Sequence, residues 1–189
     1  MAYRVSSHSF PNRRAEIRGK SILVSPLDPS DLARNPYIAY NCIRAFDGAA
    51  VVANGTQADM ILEKIEDGLR PLDAISFSLV AFGYERDELD TPRLAGVVRG
   101  EKAWLGIAKK DEFRAKEFRL RDGDAFMAAT YEMTEFEPLS IDGESPEEIA
   151  RAAYDLSFER PVCAAAALSL PAEQGKENEG FEMAVYNPK

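Results

Sequence analysis

Two helical patterns lie back to back between Thr56 and Phe82, and on either side of them the chain changes to the period of strands. From Thr56 to Gly68 the apolar residues Ala58, Ile61, Leu62 and Ile65, followed by Leu69, mark one helical face. Gly68 supplies a stop. Pro71 suits the first turn of the next helix, where a missing N–H costs nothing. Leu72, Ile75, Leu79 and Phe82 form its stripe, and Phe77 and Val80 lie on another side. A helix apolar on two sides is expected between layers. Two adjacent helices between strand-rich blocks place the chain in the α+β class, with two antiparallel sheets and helices outside them. A four-layer α/β/β/α sandwich is one such arrangement.

The flanking blocks carry period-2 runs and turn signals. Tyr3 to Phe10, Ser21 to Leu27, Tyr37 to Phe46 and Ala49 to Ala53 read as strands, with a hairpin turn at Asp47-Gly48. Beyond the helices, strands are expected from Arg93 to Met133. GVVRGEKAWLGIA turns at Arg99-Gly100, EFRAKEFRL alternates as a half-solvated strand does, and DAFMAATYEM follows a turn at Asp122-Gly123. Ser145-Pro146-Glu147-Glu148 reads as a cap and first turn, opening a helix expected to reach Ser157. VCAAAALSL, from Val162 to Leu170, fits a buried strand or a short helix. Residues 1–170 are read as a single domain and 171–189 as a polar C-terminal tail.

Charge and composition exclude several classes. The net charge of −9 argues against nucleic acid as a partner, because phosphate backbones are held by excess Lys and Arg. No apolar run reaches the length of a membrane span, and MAYRVSSHSF lacks the apolar core of a signal peptide. Two cysteines, Cys42 and Cys163, make neither a disulfide framework nor a thiolate cage, so a reducing cytoplasm is the expected location. His8 is the only histidine, which excludes a histidine-based metal site. No metal and no cofactor are expected.

Three stretches concentrate polar chemistry. Ser6 to Arg14, SSHSFPNRR, offers hydroxyls, an amide and two guanidiniums, which suits a phosphate as well as a solvated loop. Asn35 to Arg44, NPYIAYNCIR, is apolar enough for a strand and too rich in polar groups for a merely structural one. Strand alternation puts Tyr40, Cys42 and Arg44 on one face, with Asn41 and Ile43 on the other. Tyr84 to Arg93, YERDELDTPR, crowds acids and arginines into a helix-to-strand connection, as a solvated turn does or as a site for a general base does.

Taken together and in this order, YRVSS-SFPNR, NPYIAYNCIR and YERDELDTPR resemble the archaeal type of IMP cyclohydrolase. The resemblance continues through VANGTQAD, the SPEE helix start and PVCAAAA, over residues 2 to 168. It implies dehydrative closure of 5-formamidoimidazole-4-carboxamide ribonucleotide to IMP, the last step of purine synthesis. It also implies a fold like that of the N-terminal-nucleophile (Ntn) hydrolases, without autocleavage. The expected partner is therefore a small purine-precursor ribonucleotide, and a homo-oligomer is expected because sheet edges need cover.

In that reaction a poor nucleophile, the carboxamide nitrogen, must be held against the formyl carbon. Tyr40 is the candidate for proton donation to the formyl oxygen or for its polarisation. Glu85 is the candidate for orienting or deprotonating the carboxamide, and Arg13 for binding the phosphate or the developing oxyanion. Ser7, Ser9 and Asn12 are candidates for phosphate or ribose, and Asn35, Asn41, Arg44 and Asn54 for further substrate contacts. Two departures stand out. The family pattern has another strand, with a Gly-Arg pair, before AYRVSS, whereas here Met1 directly precedes Ala2, so an open sheet edge is expected. His8 stands where the pattern has arginine. Two other readings compete: an amide hydrolase using Cys42 or a serine, and a purine-nucleotide-binding protein without catalysis.

Overall fold

In chain order the elements of the computed structural model are β1 (Ala2–Ser6), β2 (Arg13–Arg18), β3 (Ser21–Pro26), α1 (Asp31–Arg34), a 3-10 turn (Pro36–Ile38), β4 (Tyr40–Phe46) and β5 (Ala49–Ala53). They continue as α2 (Gln57–Glu66), α3 (Pro71–Phe82), β6 (Arg93–Arg99), β7 (Lys102–Ala108), β8 (Phe113–Arg119), β9 (Phe126–Met127), β10 (Glu137–Pro138), α4 (Pro146–Tyr154), β11 (Pro161–Ser169) and β12 (Phe181–Tyr186). The structure describes residues 1–170 and 180–188.

Strands β2 to β8 form one seven-stranded antiparallel sheet in sequence order, interrupted in the chain by α1 and the 3-10 turn before β4 and by the α2–α3 pair before β6. A second sheet has the order β1-β11-β12, also antiparallel. The molecule is thus α+β with antiparallel sheets. Helices α2 and α3 pack on one face of the large sheet, the small sheet packs on its other face, and α4 covers the small sheet from outside.

Two cores result. Ile61, Leu62, Ile75 and Leu79 meet Val51, Val97 and Trp104 beneath the helix pair. Val5, Cys163, Ala165 and Ala167 meet Ile22, Val24, Tyr40, Cys42 and Ile43 between the sheets. Gly106 on β7 lets α3 sit close, since a Cβ there would run into Ile75 and Leu79. The Val162–Leu170 stretch is a strand, and the burial of Val162 to Ala167 on both faces explains its unbroken run of small apolar residues. The Ser145 cap forms as read: its Oγ accepts from Glu148 N at 3.2 Å, with Pro146 opening α4, which ends at Tyr154 rather than Ser157.

Four expectations are corrected. Phe77 and Val80 are 55% and 66% exposed, so α3 covers the sheet with one face only and its second apolar strip meets solvent. The strand expected from Tyr37 begins at Tyr40, because Pro36 opens a 3-10 turn that Asn35 caps. Only Phe126 and Met127 of DAFMAATYEM pair as strand. The polar tail gives way at its end to β12, whose Phe181, Met183 and Val185 alternate onto the inter-sheet core. The part of the tail at 171–179 lies outside the described residues. Strand β1 has β11 as its one partner among the described residues, which leaves its other edge without a strand. Among the described residues, no helix is long and apolar enough to cross a membrane.

Candidate active site

One end of the large sheet gathers the polar residues. Arg13 opens β2, Tyr40 opens β4 and Arg93 opens β6, while Asn54 follows β5. Glu85 comes from the loop after α3. That loop is folded inward by Asp87, whose carboxylate accepts from Leu89 N, Thr91 N and Thr91 Oγ1, and by a Glu85 N to Thr91 O bond of 2.8 Å.

Tyr40 is 6% exposed, and its hydroxyl lies 2.8 Å from that of Tyr3, with the two rings edge to face. Burial pushes Tyr40 up to about 12, against the positive charge of Arg13 and the hydrogen bond from Tyr3, which lower it. Tyr3 is raised well above the ordinary tyrosine range, chiefly by burial. Either hydroxyl can donate in this pair, and the arrangement in which Tyr3 donates leaves the Tyr40 O–H free to donate elsewhere.

Glu85 is 7% exposed. Burial pushes its carboxyl up from the ordinary 4.5 to about 7, and outweighs the lowering by Arg93, whose Nη1 is 3.2 Å from Oε1. Asp87 raises it further, and Arg13 lowers it. The charge of Arg13 thus reaches both Tyr40 and Glu85. Arg13 itself is tied to the preceding loop by Nε donating to Phe10 O at 3.0 Å.

A polar network stands behind Glu85. Arg93 donates from Nη1 to Gln57 Oε1 at 2.9 Å, and Gln57 Nε2 donates to Asn54 Oδ1 and Leu94 O, both at 3.0 Å. Asn54 accepts from Leu94 N at 2.7 Å and donates to Pro92 O at 2.9 Å. Its Oδ1 accepts twice and one of its two amide N–H groups donates, so the network holds the side chain in place. A Cβ on Gly55 would lie 2.6 Å from both Arg93 Nη1 and Gln57 Oε1, so glycine is required for the network to close.

The other candidates divide. Ser7 Oγ accepts from Phe10 N at 3.1 Å and shapes the loop that leads into Arg13, where His8, Ser9 and Asn12 are exposed. Asn35 Oδ1 accepts from Tyr37 N at 2.8 Å, a capping role. Asn41 and Arg44 both bond Asp59 Oδ1 on α2, at 3.0 Å each. The expected grouping of Arg44 with Tyr40 is therefore wrong. The β3–β4 register shifts between Ile22 and Leu23, leaving Cys42 as an extra residue in β4. This bulge turns Asn41 and Arg44 toward α2, while Tyr40, Cys42 and Ile43 face the inter-sheet core. Both cysteines are fully buried, and burial raises Cys42 well above the ordinary thiol range and Cys163 to about 11. Neither is an activated nucleophile.

Sequence reasoning missed Tyr3, Gln57 and Arg93, although each lies inside a motif that carries the resemblance. Gln57 left a readable signal: it shares the buried stripe of Ala58, Ile61, Leu62 and Ile65, where a polar residue demands partners.

A buried tyrosine, a carboxyl raised by burial and an arginine, with both thiols sealed away, are groups suited to acid–base chemistry. The model of the IMP cyclohydrolase-like protein family matches residues 1–174, and the chain belongs to that family. It is 58% identical over 189 residues to the IMP cyclohydrolase of Methanothrix thermoacetophila, covering 100% of this chain and 92% of the relative. It is 48% identical to that of Methanocella arvoryzae, over 98% of this chain and 89% of the relative. Identity to that of Natronomonas pharaonis is 42%, over 98% and 92% respectively.

Proposed function

We propose that the chain is an IMP cyclohydrolase, closing 5-formamidoimidazole-4-carboxamide ribonucleotide to IMP with loss of water. The observation that carries this reading is the meeting of Tyr40, Arg13 and Glu85 at one sheet end, in a chain of this family. Ionised Glu85 takes a proton from the carboxamide nitrogen, which attacks the formyl carbon. The formyl oxygen gains charge as its π bond opens, and Tyr40 donates to it while Arg13 stabilises it. The resulting ring carbon then loses its hydroxyl. Glu85 returns its proton to make water, a ring nitrogen restores the proton of Tyr40, and the C=N bond forms. The proton balance closes on two side chains.

The hydroxyls and amide of the Ser7–Asn12 loop are the proposed contacts for the phosphate and ribose of such a substrate. The four successive layers fit the sandwich of the Ntn hydrolases, used here without autocleavage. The proposed setting is a cytoplasmic homo-oligomer. The test is conversion of the formamido ribonucleotide to IMP by the purified chain in EDTA. IMP is the expected product. Folded protein that binds IMP without forming it would make this a nucleotide-binding protein instead.

A further inference from the structure

Arg93 is the most enclosed cation at the site, with 5% exposure, and the groups around it are fixed. Nη1 donates to Gln57 Oε1 at 2.9 Å. Gln57 is fully buried and cannot turn, because its amide nitrogen already serves Asn54 and Leu94. The rings of Tyr37 and Phe82 flank the guanidinium at 5.6 and 5.3 Å. Gly55 leaves the space that Nη1 and Gln57 Oε1 occupy. The same nitrogen lies 3.2 Å from Glu85 Oε1, a buried oxygen with no hydrogen-bond partner among the described residues. A buried pair in which Oε1 and Arg93 Nε have no hydrogen-bond partner among the described residues is a poor way to stabilise a fold, since desolvation offsets the attraction. Its position beside the carboxylate of the site gives it a different use.

We infer that Arg93 is a positioning residue: gripped by Gln57 and two aromatic rings, it holds the Glu85 carboxylate at the site and favours its ionised form. This rests on the proposed acid–base role of Glu85. The charged and titratable groups facing Glu85 are Arg93 from β6, Arg13 from β2, Asp87 from its own loop and Tyr131 from the segment after β9. Arg93 and Arg13 favour the carboxylate, and Asp87 opposes it.

Arg93→Gln removes the charge and keeps a planar polar head, whereas Arg93→Lys keeps the charge and loses the fork. Two readouts on the full chain apply: the pH profile of kcat/KM for IMP formation, and carbon NMR titration of the Glu85 carboxyl. Arg93→Gln is expected to move both the titration and the acid limb to higher pH by about 1 pH unit or more. It also lowers kcat on the order of 10²-fold. Arg93→Lys leaves both midpoints near wild type and lowers kcat more than it changes KM. A folded Arg93→Gln protein whose titration and acid limb match wild type overturns the inference. Where Arg93→Gln does not fold, Arg93→Lys with wild-type kcat does the same. The NMR arm needs no turnover: a Glu85 titration that moves in Arg93→Gln, with no IMP from wild type, supports the clamp and rejects the cyclisation reading.

Discussion

Tyr40 and Glu85 are buried to nearly the same degree, 6% and 7% exposed, and burial raises both acids. The consequences are opposite. Tyr40 at about 12 holds its proton at neutral pH, as the proposed donor must. Glu85 at about 7 is brought to where it both takes and returns a proton. The surroundings differ accordingly. Tyr40 sits among Val24, Cys42 and Cys163, with one hydroxyl for company, whereas Glu85 is backed by a guanidinium, two amides and a folded acidic loop. One physical effect, desolvation, thus supplies two roles because it starts from two ordinary values.

The comparison breaks most sharply at Glu85. Glu85→Gln keeps the shape and removes the titration, so kcat is expected to fall by about 10²–10⁴-fold and the acid limb of the profile to vanish. The same change has a stability signature. The folded carboxyl titrates near 7 and the unfolded one near 4.5, so burial favours folding below 4.5 relative to higher pH, and that contribution is lost as pH rises through 7. The amide carries no such loss. Tm of Glu85→Gln minus wild type, measured by thermal unfolding, should therefore grow from pH 5 to pH 8. A difference that stays flat with pH would deny that the folded carboxyl is raised.

At Tyr40 the effect is smaller, because the group donates and never has to change form before the reaction. Tyr40→Phe is expected to lower kcat about 10²-fold with KM within a few-fold, measured as IMP formation at saturating substrate. It also strands the Tyr3 hydroxyl, at a cost of about 1 kcal/mol in denaturant unfolding. Tyr3→Phe, which removes the supporting donor and keeps the acid, should cost kcat only about tenfold. Near-normal turnover in Tyr40→Phe would end its role as donor. Equal losses in both variants would move the acid role to the pair.

Much of this was legible in the sequence, for reasons tied to local chemistry. The turn at Asp47-Gly48, the Ser145 cap and the α2 stripe rest on neighbours within four residues, and they fold as read. The grouping of Arg13, Tyr40 and Glu85 was expected from resemblance alone, since nothing local joins three positions so far apart. What escaped depends on the rest of the chain. The bulge at Cys42 changes which side chains share a face with Tyr40, and no residue in NPYIAYNCIR announces it. Phe77 and Val80 are as apolar as any core residue, but α3 has a sheet on one side only. Strand β12 is a short alternating run next to a polar stretch, and its meaning lies in β11, the strand it pairs with.

Cys42 closes the comparison, because it shares the core of Tyr40 without the groups that make burial useful. It is 0% exposed, and burial together with the nearby Cys163 raises it beyond thiolate formation at neutral pH. Among the described residues no cation supports its ionised form, so the desolvation that keeps Tyr40 protonated gives Cys42 only inertness. A thiol alkylating reagent at pH 8 should leave both cysteines of the native protein unmodified and turnover unchanged. Cys42→Ala should keep kcat within about twofold while costing about 1–2 kcal/mol in denaturant unfolding, for the volume lost beside Ile43 and Val24. These two outcomes would make Cys42 packing alone. Alkylation of Cys42 in folded protein, with loss of turnover in step, would reverse the contrast and return the thiol to the chemistry.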